Sequence, residues 1–371
     1  MKKFIKDTLL FLFPFFVIVL AMLPFYFITL NTGEFDEITK SIEKQRKNHN
    51  ILIGLGYNEQ TSYYKLLNAN YYRQKVLALG TSRVMQFKEV FFKESFYNCG
   101  GAVNGNYDEY LNFLKNLTYE PEIILLGLDS WVFNDAWNKQ CQKYNYFREI
   151  QEVNTSTGRL LISIIADWFI GKWKRADLDL YPDNIGFNGR VKDKGFMFDG
   201  SHYYGDVYRF PEIQQDYQFA DTLQRISNGN SRFEWGEDID DDTLNQLNEL
   251  LLYCKEHQIN VIGFLPPFAP SIYAKMIDSK NYGYLSKITP ACKILFDKYD
   301  FEFFDYLNVE NLNITDDFFI DGFHGSEVVY GYVLKDMFVK NSSVKNYIDL
   351  EQIETLIENK YNGLVFSNPD M

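Results

Sequence analysis

Two short motifs, far apart in the chain, contain the residue types of a nucleophilic serine site. The sequence Gly-Thr-Ser-Arg at residues 80–83 follows a short apolar run, and Asp-Gly-Phe-His at residues 321–324 lies in the last part of the chain. A serine hydroxyl is a poor nucleophile at neutral pH. It needs a neutral imidazole that removes its proton and a third group that fixes the imidazole's tautomer. Ser82, His324 and Asp321 match these three requirements.

The first motif suits the end of a buried strand. Val76–Leu79 is a short apolar run, and Gly80 interrupts it at a tight turn. Ser82 would then lie at the carboxyl end of a strand, which is the edge where open α/β sheets bind ligands. Val84 stands where a Gly-x-Ser-x-Gly nucleophile elbow has its last glycine, which argues against the α/β-hydrolase arrangement. Taken alone, the motif is equally typical of a helix-capping turn, because serine and threonine are common N-caps.

The second motif is more informative because the chain has only four histidines. His49 lies in a charged segment and His257 ends a polar helical pattern, so neither suggests a reactive site. Asp321 precedes His324 by three residues, so its carboxylate can accept from Nδ1–H and leave Nε2 free as a base. The alternative is an ordinary hydrogen-bonded pair within a loop. His202, in a Gly- and Tyr-rich loop, is the other candidate base.

With the serine turn first, Asp-x-x-His last and strands alternating with helices between them, the chain resembles the SGNH hydrolases, also called the GDSL esterase superfamily. The resemblance covers roughly residues 68–342, interrupted by a long insertion. It implies a flavodoxin-like, three-layer α/β fold in which Ser82 is the nucleophile, His324 the base and Asp321 its partner. The most similar branch comprises membrane-anchored proteins that accompany membrane-bound O-acyltransferases in the modification of cell-envelope polysaccharides.

The family also supplies N–H donors that stabilise the negatively charged oxygen formed during acyl transfer. The resemblance assigns one donor to the backbone of Ser82 and another to Gly100 or Gly101, with Gly105 as a competing glycine. The family's third donor, an asparagine after the third strand, is replaced here by Asp129. A carboxylate there would repel the oxyanion. Asp129 is therefore expected to point away, to be protonated or to mark a branch that uses another donor.

Other polar residues near these motifs are candidate substrate contacts. The loop at residues 195–205 resembles Asp-Gly-Ser loops of the acyltransferase-associated relatives. It is expected to fold over the serine and shape an acceptor pocket, and the alternative is a surface β-hairpin. Asn134 is a candidate substitute for the missing asparagine, although an ordinary loop residue is the simpler interpretation. The residues predicted to bind substrate are Arg83, Asp129, Asp199, Ser201 and His202.

Alternating strand and helix patterns predict the scaffold. The expected strands are Val76–Leu79, Ser95–Asn98, Glu122–Leu128, Asn260–Leu265 and Phe301–Tyr306, and the expected helices include Tyr107–Leu117, Asp242–His257, Leu285–Asp297 and Ser326–Val339. Strands and helices in this order form a mostly parallel five-stranded sheet covered on both faces. Residues 131–241 are an insertion too long for a simple connection. They include an aromatic amphipathic segment, Leu160–Trp173, that is either a cap helix or a membrane-facing surface.

The N-terminal sequence predicts a membrane anchor. Leu9–Leu30 carries no charge and is long enough to cross about 30 Å of hydrocarbon at about 1.5 Å per residue. Lysines precede it and acidic residues follow it, which places the N-terminus in the cytoplasm and the rest outside. A cleaved signal peptide is the alternative, but no small-x-small site follows. The expected organisation is a cytoplasmic N-terminus (1–7), a membrane helix (8–30), a helical stalk (31–65), an SGNH-like domain (66–345) and a C-terminal appendage (346–371).

Composition limits the classes of ligand. The chain has 371 residues, is 46% hydrophobic and carries a net charge of −13, so it can bury a full core. No basic stripe is present, and we therefore expect no nucleic-acid partner. The four cysteines are scattered and form no Cys-x-x-Cys pair, so we expect neither a metal site nor a cofactor.

Motifs and resemblance together lead to the hypothesis of an extracytoplasmic, membrane-tethered serine enzyme that moves an acyl group, in the simplest case acetyl, on an envelope or secreted glycan. The acyl-serine would pass to a sugar hydroxyl in a transferase, or to water in an esterase. The expected partners are a polysaccharide or glycan acceptor, a membrane-bound O-acyltransferase and the lipid bilayer. The main alternative is a non-catalytic glycan-binding or assembly protein on the same fold. A phospholipase or thioesterase is a weaker alternative.

Overall fold

The computed structural model describes residues 1–103, 106–144, 150 and 157–367. The chain divides into two units. The N-terminal unit consists of Met1–Gln60 with Glu152–Phe198, and the sheet unit consists of Thr61–Gln151 with Asp199–Met371. Much of the predicted insertion, residues 152–198, therefore belongs with the N-terminal residues, while the rest of it belongs with the sheet.

Short apolar runs form the strands, which are β1 (Val76–Gly80), β2 (Phe96–Gly100), β3 (Ile123–Gly127), β4 (Lys194–Phe196), β5 (His202–Tyr204), β6 (Asn260–Leu265) and β7 (Glu302–Asp305). Five of them form a sheet in the order β2-β1-β3-β6-β7, and all neighbours are parallel. Every residue of β1, β2 and β3 is buried, so both faces of the sheet are covered. The predicted α/β class with a mostly parallel five-stranded sheet is confirmed.

The helices are α1 (Lys2–Leu30), α2 (Ile38–Lys47), α3 (Thr61–Tyr72), α4 (Tyr107–Lys115), α5 (Asp135–Tyr144), α6 (Thr157–Phe169), α7 (Phe187–Lys192), α8 (Gly205–Arg209), α9 (Ala220–Asn228), α10 (Asp241–Glu256), α11 (Pro270–Ser279), α12 (Leu285–Lys298), α13 (Glu327–Val339) and α14 (Leu350–Glu358). In the sheet unit, α4 packs against α10, which also contacts α12. All three helices were predicted from their amphipathic sequence patterns, with bounds within two residues of those observed. Cys254 of α10 and Cys292 of α12 are buried, as their apolar settings predict.

The N-terminal helix α1 is long and apolar enough to cross a membrane. Its last turns are part of the N-terminal unit, because Phe25 and Ile28 pack against a small core formed by Ile164, Trp173, Leu178 and Phe187. The predicted stalk is also folded. Ile38 and Ile42 of α2 are buried, so their helical spacing marks a packed face rather than a solvated rod.

Candidate active site

Ser82, His324 and Asp321 lie together at the carboxyl edge of the sheet. Ser82 begins a one-turn 3-10 helix directly after β1, and its Oγ is 2.8 Å from Nε2 of His324. On the other side of the ring, Nδ1 of His324 is 2.6 Å from Oδ2 of Asp321. Ser82 is half-buried and the His324 side chain is 14% exposed, so a substrate can reach both. These contacts are those of a serine, a base and an orienting carboxylate.

Three strand-ending glycines make room for the serine turn. Gly80, Gly100 and Gly127 are the last residues of β1, β2 and β3, and the side chain of Val84 packs over all three. A Cβ atom on Gly127 would lie 2.3 Å from Cγ1 of Val84, and one on Gly80 would lie 2.9 Å from it. Val84 therefore occupies space that a glycine leaves open in a Gly-x-Ser-x-Gly elbow.

The histidine lies in a loop that its aspartate partner also shapes. Oδ1 of Asp321 accepts hydrogen bonds from the backbone N–H of Phe323 (3.0 Å) and of His324 (2.8 Å). Ile320 donates its N–H to the His324 carbonyl at 2.9 Å, which closes the loop. Burial by itself raises the pKa of Asp321, but the neighbouring imidazole and these N–H donors outweigh it and hold the pKa below the ordinary value. The carboxylate is therefore ionised wherever His324 acts as a base.

Arg83 joins the two motifs from inside the protein. Its Nε donates to the Phe323 carbonyl at 2.9 Å, and its Nη2 donates to the carbonyls of Pro266 (2.7 Å) and Pro267 (2.6 Å). The guanidinium also lies 4.3 Å from the centroid of the Phe268 ring. Arg83 is 1% exposed, which excludes the predicted contact with substrate. Arg83 directly follows Ser82, and its side chain instead links the serine turn to Phe323, which directly precedes His324.

Asp129, which follows β3, also points into the protein. Its side chain is 1% exposed, and Oδ1 lies 3.5 Å from Nη1 of Arg83. Burial raises the pKa of Asp129, and the positive charge of Arg83 opposes this effect only in part. The side chain therefore does not contact substrate, contrary to the prediction for this residue. Asp129 is thus engaged with Arg83 inside the protein, and its raised pKa lies in the direction of a protonated side chain, one of the three expectations for this position.

The predicted oxyanion donors differ in whether their N–H groups already have a hydrogen-bond acceptor inside the protein. The N–H of Ser82 has no acceptor within the described part of the chain, so it is available to a substrate. The N–H of Gly100 donates to Oδ1 of Asn98 at 2.7 Å, and that of Gly101 donates to the Gly80 carbonyl at 2.9 Å. Both glycine donors are thus engaged inside the protein. Gly105 lies outside the described residues.

The candidate substitute for the missing asparagine donor also has other partners. Nδ2 of Asn134 donates to the Glu234 carbonyl at 2.6 Å, and Oδ1 accepts from the N–H of Ala136 at 3.0 Å. The side chain is 1% exposed. Asn134 therefore holds two loops together, which agrees with the simpler interpretation of this residue.

The Asp-Gly-Ser loop uses its polar groups to pack within the sheet unit. Oδ1 of Asp199 accepts from Oγ of Ser201 at 2.6 Å, and Oδ2 accepts from the N–H of Glu89 at 2.9 Å. Ser201 is fully buried and Asp199 nearly so. Burial lowers the pKa of Lys65 to about 7, and its Nζ donates to the carbonyls of Asn98 and Gly200. Asp199 and Ser201 are therefore fixed in the interior of the sheet unit by these contacts.

His202 is not part of the serine site. Its backbone N–H donates to the Met85 carbonyl at 3.1 Å, and its own carbonyl accepts from Nε2 of Gln86 at 2.7 Å. Its ring lies against Tyr204, with centroids 4.3 Å apart. His324, and not His202, is therefore the imidazole that meets Ser82 in this structure.

Two positioning residues have no clear signal in the sequence. Asp216 accepts a hydrogen bond from the N–H of Gly322 at 2.9 Å and two more from Thr222, so it fixes the loop between Asp321 and His324. Nδ2 of Asn98 donates to the carbonyls of Val84 and Phe87, each at 2.9 Å, and so holds the chain that follows the serine. For Asn98, the one indication in the sequence is its polar side chain within the otherwise apolar strand β2.

The geometry allows a hydroxyl nucleophile activated by a neighbouring imidazole, with one unoccupied backbone donor beside it. No protein-family model and no curated protein matches this chain. The chemical interpretation therefore rests on the contacts within the molecule and on the resemblance of its motifs.

Proposed function

We propose that this protein is a membrane-tethered acyl-transfer enzyme of the SGNH type, with a flavodoxin-like fold and Ser82 as its nucleophile. The observation that carries the proposal is the continuous hydrogen-bonded path from Ser82 Oγ through His324 to Asp321. A path of this kind activates a hydroxyl that is otherwise unreactive at neutral pH.

In the proposed reaction, Oγ of Ser82 attacks the carbonyl carbon of an acyl ester while Nε2 of His324 takes the hydroxyl proton. The N–H of Ser82 stabilises the negative charge that forms on the carbonyl oxygen. The ester bond breaks, the leaving alcohol receives the proton from His324, and an acyl-serine remains. His324 then removes a proton from a second hydroxyl, which attacks the acyl-serine. The bond between the acyl group and Oγ breaks, and His324 returns the proton to Oγ of Ser82.

The proposed substrate is an O-acyl group, in the simplest case acetyl, on an envelope or secreted glycan. Transfer to a sugar hydroxyl would make the protein an O-acetyltransferase, and transfer to water would make it an O-acetylesterase. The apolar helix α1, which carries lysines in its first two turns, supports a single-pass anchor with a cytoplasmic N-terminus and the residues after the helix outside. A membrane-bound O-acyltransferase that supplies the acyl group fits this location.

A second candidate function is glycan binding without catalysis. It is favoured by the engaged N–H groups of Gly100 and Gly101, so that, of the candidate donors that the structure describes, only the N–H of Ser82 is unoccupied. A site with fewer oxyanion donors loses transition-state stabilisation, because each donor contributes a factor of about 10²–10³ in rate.

The test is serine-dependent acyl transfer by the full-length chain in lipid nanodiscs. We would measure p-nitrophenyl acetate turnover with and without an oligosaccharide acceptor, and intact mass for an acetyl adduct. Ser82→Ala should abolish both signals, while Ser286→Ala, which removes an exposed hydroxyl on α12, should leave them unchanged. An acceptor-dependent rate would identify a transferase. Equal signals from wild type and Ser82→Ala would reject the proposal and favour glycan binding.

A further inference from the structure

Helix α6 carries an apolar face that the described residues leave exposed. Leu160, Leu161 and Ile164 are buried within the N-terminal unit. On the exposed side, Ile162 is 63% and Phe169 is 74% exposed, and Ile170, which directly follows the helix and donates its N–H to the Ala166 carbonyl, is 70% exposed. Together with the exposed Ala166, they follow the spacing i, i+4, i+7 and i+8 of a single helix face. The helix is therefore apolar on both sides, which is unusual for a helix in water.

The contacts of α6 with α1 fix its depth. The Trp168 ring lies 5.1 Å from the Phe25 ring, and the Trp173 ring lies 6.4 Å from it. A hydrocarbon layer of about 30 Å takes about 20 residues of helix, so a layer beginning at Leu9 ends near Ile28. Phe25 then lies about 5 Å inside the boundary. The two tryptophans beside it lie at the level where tryptophan is enriched in membrane proteins.

The charged residues around α6 agree with this depth. Arg159 lies in its first turn, and Lys172, Lys174 and Arg175 follow its last turn, all of them exposed. Asp167 is the acidic residue within the helix, and it is bonded both to Lys172 (2.8 Å) and to the Tyr57 hydroxyl (3.0 Å). The exposed face thus presents apolar side chains with cations at its ends, the pattern of a helix that lies in a membrane interface.

We propose that α6 is an interfacial helix, which inserts Ile162, Phe169 and Ile170 into the acyl chains of the bilayer that α1 spans. The proposal rests on the membrane anchoring in the proposed function, and it adds a second, in-plane contact. The N-terminal unit is then held against the lipid surface by two elements, α1 across the bilayer and α6 along it. The bilayer is the chosen occupant because α6 packs beside the last turns of α1, the helix that is long and apolar enough to span it.

The experiment uses the full-length chain in lipid nanodiscs, with single cysteines labelled by the environment-sensitive fluorophore NBD. Cys99, Cys254 and Cys292 are buried, and Cys141→Ser would remove the remaining thiol. The test position is Ile170→Cys. Its matched control is Ile294→Cys on α12, also 70% exposed, and Phe13→Cys within α1 reports on the anchor. Quenching by lipids brominated on their acyl chains measures contact with the hydrocarbon.

We expect NBD at positions 13 and 170 to be quenched at least twofold and NBD at 294 to be unaffected. Quenching at 13 without quenching at 170 would overturn the α6 proposal and leave the anchor intact. Blue-shifted but unquenched emission at 170 would indicate that a protein surface covers the face, and this would also overturn it. Absence of quenching at 13 would reject the membrane anchor, and α6 with it. Serine-dependent turnover of p-nitrophenyl acetate in the same samples reports separately on the acyl-transfer proposal.

Discussion

Ser82, His324 and Asp321 are oriented mainly by buried polar contacts. Asp321 accepts from the imidazole and from two backbone N–H groups, so its carboxylate fixes both the ring and the loop that carries it. Arg83 then ties this loop to the serine turn. Because 1 Å of misplacement can cost a factor of about 10² in rate, these contacts are the ones to test.

Asp321→Asn should keep the loop but lose most of the activity. The amide cannot stabilise the imidazolium or select the tautomer, so we expect turnover of p-nitrophenyl acetate to fall by about 10³–10⁴. The folded protein lowers the pKa of Asp321, so ionisation stabilises the fold above 3.8, the ordinary value. We therefore compare the free energy of unfolding of wild type with that of the variant. The difference should be constant near neutral pH and should decline below pH 3.8. A difference that stays constant down to pH 2 would contradict the assigned role.

Arg83→Lys tests the bond between the two motifs. One ammonium group cannot reach the carbonyls of Phe323, Pro266 and Pro267 together, because it lacks the planar fork of guanidinium. We expect kcat to fall by about 10² and the free energy of unfolding to fall by about 2 kcal/mol. Arg73→Lys is the control, because Arg73 donates to Thr118 at the surface of the same unit. Wild-type kcat in Arg83→Lys would show that the link does not position the site.

At the scale of elements, three neighbouring strands end in glycine at the same edge, and the turn after β1 packs into the space they leave. The close approach of Val84 to Gly80, Gly100 and Gly127 sets how low the serine turn lies over the sheet. The serine is therefore placed by strand packing as well as by hydrogen bonds.

Gly127→Ala should push the serine turn away from the sheet, and a second substitution, Val84→Ala, should remove the steric clash that causes this shift. The new Cβ would lie 2.3 Å from Cγ1 of Val84. We expect the single variant to lose about 1–3 kcal/mol of unfolding free energy, together with activity. The double variant should recover part of both, with a coupling energy of about 1 kcal/mol or more in a double-mutant cycle. Gly158→Ala in α6, where a Cβ meets nothing within 4 Å, is the matched control. Strictly additive effects would contradict the packing argument.

The strands, and the meeting of Ser82, His324 and Asp321, could be predicted because their signals are local. Short apolar runs marked β1, β3 and β6, and the scarcity of histidine drew attention to His324. The partners of Arg83 could not be predicted, since they come from residues up to 240 positions away and depend on how the strands are ordered. The hydrogen bond from the Gly100 N–H to the Asn98 side chain could not be predicted either, because it depends on the backbone turn at the end of β2.

At the scale of the whole molecule, each unit contains a buried ion that joins distant segments through several hydrogen bonds. In the sheet unit this ion is the guanidinium of Arg83. In the N-terminal unit it is the carboxylate of Glu34, which is fully buried and accepts from the backbone N–H groups of Gly56, Tyr57, Asn58 and Phe187. Such ions hold distant segments together, because a buried charge is costly unless every partner is in place. The segments they join are close in space and far apart in sequence.

Glu34→Gln should loosen the N-terminal unit selectively. An amide offers one acceptor oxygen where the carboxylate offers two, and its NH₂ faces backbone N–H groups, so about two of the charge-assisted bonds are lost, each worth about 1.5–3 kcal/mol. We expect faster hydrogen exchange, measured by mass spectrometry in nanodiscs, at residues 54–58 and 185–189. Exchange in β1 and β3 should be unchanged. Glu37→Gln is the control, because Glu37 is exposed and caps α2 without a side-chain hydrogen bond. Equal exchange in both variants would show that Glu34 does not organise the unit, whereas faster exchange in the sheet as well would show that the two units unfold together.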